Sequence, residues 1–294
     1  FTSAYCASPL CVTSRAAIMT GQYPHTNQVC GNRSQLPTDA VTMGDVFRSA
    51  GYAIATIGKV HIPGETRQRD LGFDERAMRI YTYWFEDYIN EIGEEGANNY
   101  ATYRQPLERF QTVYNPTNEP VKLRDDEMYD HLVVERCIDF MGRHRDGPFL
   151  LWAGLEKPHT DWTAPARYHA MYDPAAIPIP ETAFESRTDM PQAWYASTRQ
   201  SWCFDDDELH NAMAAYYANV TYLDDQVGRL LEGLSDLGLA DDTLIVYTTD
   251  HGEMCFEHGM VQKQNFFEAS AHVPLIVKTP ASAPAQATTH EGFS

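Results

Sequence analysis

The sequence predicts an α/β fold of three layers, α/β/α, with a mostly parallel central sheet. Three observations predict it. Four short runs rich in Ile, Val and Leu read as buried strands, amphipathic helical patterns separate them, and polar side chains with chemical potential cluster just after the strands. At 294 residues the chain is long enough to bury a large core.

The first element is a helix beginning near Cys11 in CASPLCVTSRAAIMTG. Cys11 and Arg15 stand at i and i+4, so their side chains project from one face. A thiol at a helix start beside a guanidinium has a lowered pKa, although a cysteine among small residues also reads as a buried hydrophobe. The strand runs are YAIATIG (52–58), PFLLWAGL (148–155), TLIVYTTD (243–250) and VPLIVKTP (273–280). Val134, Ile138 and Met141 form one helical stripe ahead of a Gly-Pro break at 147–148. A longer helix runs over about 207–237, with Tyr216, Val220, Leu223, Val227, Leu230 and Leu234 as its expected core face and Gly238 as its stop. Two aromatic excursions interrupt the pattern, one with Tyr81, Tyr83, Trp84, Phe85 and Tyr88, the other with Trp194, Tyr195 and Trp202. Such rings stack on a sugar, enclose a quaternary ammonium, or simply pack their own loops.

In an open parallel sheet, ligands sit beyond the carboxyl ends of the strands. Lys59 and His61 follow the first run, Lys157 and His159 the second, and Asp250 and His251 end the third, with Lys263 further on. The chain carries 41 acidic and 22 basic residues, a formal charge of −19, which argues against nucleic acid and anionic membrane surfaces as partners. Arg15, Lys59, His61, His159 and Lys263 therefore read as a cationic pocket in an anionic shell. A sulfate or phosphate ester suits such a pocket. Asp250 amid these cations suggests a hard divalent metal, Ca²⁺ or Mg²⁺, with His251 as a second ligand, although an Asp-His-Gly turn also caps strands. The six cysteines show neither a CxxC pair nor zinc spacing. No stretch approaches the roughly 20 apolar residues of a membrane-spanning helix.

Taken together, CVTSRAAIMTG, GKVH, KPH, TTDHGE and KQNFFEASAHVPLIV resemble, in order, the motifs of the type I, formylglycine-dependent sulfatases of the alkaline phosphatase superfamily. The KPH and FFEASAHVPLIV segments are similar to both choline-sulfatase and iduronate-sulfatase members. The resemblance implies an alkaline-phosphatase-like fold and hydrolysis of a small anionic sulfate ester, either a sulfated carbohydrate or a small sulfated alcohol. It implies that Cys11 is oxidised to formylglycine by a formylglycine-generating enzyme, that its hydrated aldehyde attacks sulfur, and that Arg15 holds the diol. Lys59 and Lys263 would clamp the sulfate oxygens. His159 would serve the departing alcohol, and His61 would take a proton from the second hydroxyl. Asp250 and His251 would ligate the divalent metal, usually Ca²⁺, with Mg²⁺ or Mn²⁺ as substitutes.

The sequence departs from the family pattern at Thr13, where Pro or Ala is usual, and at His272, where many members carry Arg. The family's first strand, with a pair of acidic metal ligands, is expected upstream of Phe1, and a C-terminal subdomain beyond Ser294. The whole of 1–294 thus reads as a sulfatase catalytic domain truncated at both ends. Two alternatives stand beside this reading: a phosphate or phosphonate ester hydrolase on the same scaffold, and a non-catalytic anion-binding relative.

Overall fold

The computed structural model describes residues 1–62, 71–78, 92, 114–184 and 204–282. Both aromatic excursions singled out in the sequence lie outside these residues. Three parallel strands, β1 (Ala53–Gly58), β2 (Glu75–Ala77) and β3 (Phe149–Gly154), form one sheet in the order β2-β1-β3. The alternation of side chains in β1 and β3 sorts two cores. Ile54, Leu150 and Trp152 face one cluster, while Ala55, Ile57, Phe149, Leu151 and Ala153 face another.

Helix α1 (Cys11–Thr20) covers the first face with Val12, Ala16 and Met19, supported by α2 (Met43–Ser49). Gly21, in the left-handed region at φ 64°, ends α1. Thr42 and Asp45 close a capping box at the start of α2. The opposite face is covered by α3 (Tyr129–Arg143), through Val133, Cys137, Phe140 and Met141, with α4 (Asp206–Asp236) packed outside it. Asp205 and Glu208 form the capping box that starts α4. The result is the expected three-layer α/β/α arrangement.

Two expectations need correction. The strands predicted at 243–250 and 273–280 form β4 (Ile245–Thr248) and β5 (Leu275–Lys278), which pair with each other antiparallel in a separate two-stranded sheet. An apolar run records that a strand is buried or meant to be, but carries no direction.

The buried face of α4 also differs from the apolar stripe. Ala215, Ala218, Asn219, Tyr222 and Gln226 are buried, while Val220 is 41% exposed. Small alanines let the helix approach closely, and the polar members have partners: Tyr222 Oη accepts from the His131 amide at 3.2 Å and Gln226 Oε1 from Arg229 at 2.8 Å. Partnered polar groups can therefore occupy a core position that hydropathy assigns to the outside.

Candidate active site

The strand ends of β1 and β3 are drawn together by a glycine pair. Gly58 and Gly154 are register partners, and a Cβ on Gly58 would lie 2.2 Å from the Gly154 carbonyl oxygen. Gly58 has φ +92°, which other residues rarely adopt. The Lys59 amide donates to the Gly154 carbonyl at 2.7 Å, so Lys59 leaves β1 beside the chain that leaves β3. Its Nζ meets Glu156 Oε2 at 2.8 Å, and Glu156 Oε1 lies 3.3 Å from His159 Nδ1.

Helix α1 brings the other half. Arg15 is buried, its Nε donating to Asp250 Oδ2 at 2.7 Å and a terminal nitrogen to the Lys59 carbonyl at 2.8 Å. One guanidinium thus ties α1 to the ends of both β1 and β4. Cys11 Sγ lies 3.0 Å from His251 Nε2, and His251 Nδ1 is 2.7 Å from the Gly252 carbonyl, which fixes Nδ1 as a donor. Gly252 is wedged against the segment before β5, where a Cβ would stand 2.0 Å from the Ala269 carbonyl oxygen. Lys263 is buried, and the next residue is anchored by the Gln264 amide donating to Pro9 at 3.0 Å, just ahead of α1.

The charges shape one another. Burial would push the Cys11 thiol up, but hydrogen bonds with His251 and His61 and the charge of Lys263 outweigh it and hold the thiol well below its usual range. Burial works against ionised Asp250 too, and is overcome by Arg15, His251 and Lys59, which keep its carboxylate far below normal. His251 is raised despite burial, because Asp250 and Cys11 favour its protonated form. His159 goes the other way: burial, then Lys59 and Lys263, hold it well below the usual imidazole range. Its Nδ1 sits 2.7 Å from the Thr160 carbonyl, so the resting ring is neutral with Nε2 unprotonated.

The structure therefore gathers Cys11, Arg15, Lys59, His61, His159, Asp250, His251 and Lys263 around one site. Lys157 turns aside and donates to the Asp161 carbonyl at 2.6 Å. His272 stacks on Tyr5 with ring centres 5.1 Å apart and lies 3.1 Å from the Thr2 carbonyl, in the contact between the first residues and β5. Sequence reasoning missed Glu156 and Asp130. Buried Asp130, at the start of α3, accepts from the amides of Glu156 at 2.5 Å and Lys157 at 3.2 Å, and so holds the loop after β3. Glu156 could have been found as the charged residue directly after that strand; Asp130, in a run of acidic residues, has no distinguishing local signal.

Among the described residues, Cys11, Asp250 and His251 are the three neighbours whose donor atoms could meet at one ion, all within 4.8 Å of one another. Asp250 Oδ2 and His251 Nε2 are 3.7 Å apart, so one cation can touch both. A buried carboxylate held ionised fits a hard cation, while the imidazole and thiol are atypical for Ca²⁺, which takes six to eight oxygens. The pair fits part of a metal site.

Comparisons with known proteins bear on the family and the fold. A choline-sulfatase of Rhizobium meliloti (strain 1021) is 30% identical over 97% of this chain, which spans 56% of that protein. Among solved structures, a phosphonate monoester hydrolase of Agrobacterium radiobacter superposes with a TM-score of 0.76 at 23% identity, covering 95% of this chain and 60% of the other. A 2-O GAG sulfatase superposes at 0.66 and 22% identity, covering 95% and 56%. Identities this low show the shared fold alone. The family model named Sulfatase matches residues 1–293, and on that match the chain belongs to the sulfatase family.

Proposed function

We propose that this chain is the nucleophile-bearing part of a catalytic domain that hydrolyses a sulfate ester, on a small alcohol or a carbohydrate. The observation that carries the reading is Cys11: a thiol at a helix start, held well below its usual range and touching His251, with Arg15 one turn on in the same helix and Lys59 and Lys263 arriving from two other segments. A structural cysteine needs none of these neighbours.

Converted to formylglycine, residue 11 would supply a hydroxyl nucleophile, and a divalent cation held in part by Asp250 and His251 would draw charge off the ester oxygens. Arg15 orients that hydroxyl and keeps Asp250 in place. Lys59 and Lys263 bind the ester oxygens, offsetting the charge that builds on them in the transition state. His61, already hydrogen-bonded to residue 11, is placed to take a proton there. His159 starts neutral because the two lysines oppose its protonation. An anion bound to those lysines offsets both, so the ester itself raises the proton affinity of the group that will serve the leaving alcohol.

The test is the mass of the tryptic peptide that carries residue 11 and ends at Arg15, from protein made in a host that forms formylglycine, paired with turnover of a sulfate ester. Aldehyde at position 11 with turnover supports the proposal. Aldehyde without turnover of any sulfate ester counts against it. An unmodified thiol in folded protein favours the phosphohydrolase or binding-protein alternatives, to which Thr13, one residue past Val12 in the conversion motif, also points.

A further inference from the structure

Glu156 is unexpected in a pocket built to hold an anion. It follows β3 directly, its backbone is held by Asp130 and by the glycine contact, and its carboxylate spans Lys59 Nζ at 2.8 Å and His159 Nδ1 at 3.3 Å. Its side chain is only 15% exposed and Lys59's 6%, so water screens the carboxylate weakly. Because the loop is fixed from behind, the carboxylate stays beside the seat of the ester oxygens. Asp250 is paired instead with Arg15, whose Nε donates to its Oδ2 at 2.7 Å.

We propose that Glu156 is a specificity-determining residue that selects singly charged esters over doubly charged ones. The proposal rests on the sulfate-ester reading and deepens it. A fixed carboxylate repels each negative charge on the ligand, so a dianion meets the penalty twice. Sulfate monoesters, phosphonate monoesters and phosphate diesters carry one charge at neutral pH. Phosphate monoesters lose their second proton near pH 6 and carry nearly two. Lys59 alone would favour the dianion; with Glu156 as its partner, that preference is cancelled while the ammonium still donates to an ester oxygen. At about 5 Å in a partly buried site, one unit of charge is worth far more than a factor of ten in binding.

The experiment compares phenyl sulfate with phenyl phosphate at pH 8, their affinities measured by calorimetry on the longer protein with Cys11→Ala, so that neither is consumed. The ratio of the two affinities is taken with and without Glu156→Gln, which keeps an acceptor for Lys59 and removes the charge. The expected result is a shift of at least fivefold toward phenyl phosphate; a smaller or opposite shift overturns the proposal, because a structural role would weaken both ligands alike. If Glu156→Gln does not fold, methyl phenyl phosphate replaces the substitution. This monoanion should bind tighter than phenyl phosphate to the protein with Glu156 intact, and equal or weaker binding overturns the proposal. Turnover of phenyl sulfate by matured protein is measured separately: its failure sinks the sulfatase reading without touching the affinity ratio.

Discussion

At the scale of single residues, the site works by opposing pairs, and each pair makes a prediction. Arg15 reaches Asp250 and the Lys59 carbonyl at once because its guanidinium is a planar fork. Lysine cannot serve both, so Arg15→Lys in the longer protein is expected to lower kcat by roughly 10²-fold or more, with the melting temperature shifting far less than the rate. For His159, the expected signature is a proton. Binding of inorganic sulfate, followed by calorimetry in buffers of different ionisation enthalpy near neutral pH, should take up protons, and His159→Gln should remove most of that uptake. Absence of any buffer dependence would mean that the lysines do not govern the imidazole.

At the scale of elements, two short contacts position most of the chemistry. Gly58→Ala or Gly154→Ala would set a methyl about where a carbonyl oxygen lies, 2.2 Å away in both cases. Each should cost on the order of 2 kcal/mol or more and reduce turnover, whereas Gly147→Ala, which meets nothing within 4 Å, should cost little. The other contact is Asp130, whose carboxyl is pushed up to about 6 by burial, then by the charge of Glu156, against the two amides and Lys157 that favour ionisation. The sign follows from proton counts. Below pH 4 the group is protonated folded or unfolded; between 4 and 6 the folded chain keeps a proton the unfolded chain has lost, so stability falls as pH rises and levels off above 6. The span is on the order of 3 kcal/mol, and urea unfolding from pH 4 to 8 should show that Asp130→Asn flattens this part of the profile.

These elements also show what the sequence could reveal. Cys11, Arg15 and the residues after β1 and β3 were legible because a parallel sheet delivers strand ends to one side, and the end of α4 was legible from Gly238. Asp130 was not, since a helix start is brought to a strand-end loop only by tertiary packing. The antiparallel pairing of β4 with β5 was hidden for the same reason, and the polar burial on α4 because Asn219 and Tyr222 owe their place to partners far along the chain, Asp161 and His131.

Across the whole molecule, burial is uneven. The three-stranded sheet is covered on both faces, but β4 and β5 are not: the register partners Val246 and Val277, which share one face, are 55% and 40% exposed. Contiguous apolar surface of this kind normally marks a place where something packs. The chain as it stands should bind a hydrophobic dye and self-associate on size-exclusion chromatography. Val246→Lys with Val277→Lys should reduce both. Dye binding and self-association unchanged by the double substitution would show that the apolar face lies elsewhere.

The glycine contact between β1 and β3 has a consequence for how such a pocket can change. The width of the anion seat is set by main chain meeting main chain, and side chains only decorate it. A single exchange at position 156 therefore alters the charge that the seat tolerates while leaving its dimensions alone. One scaffold can in this way pass between esters of different charge in one mutational step, without first losing its ability to fold.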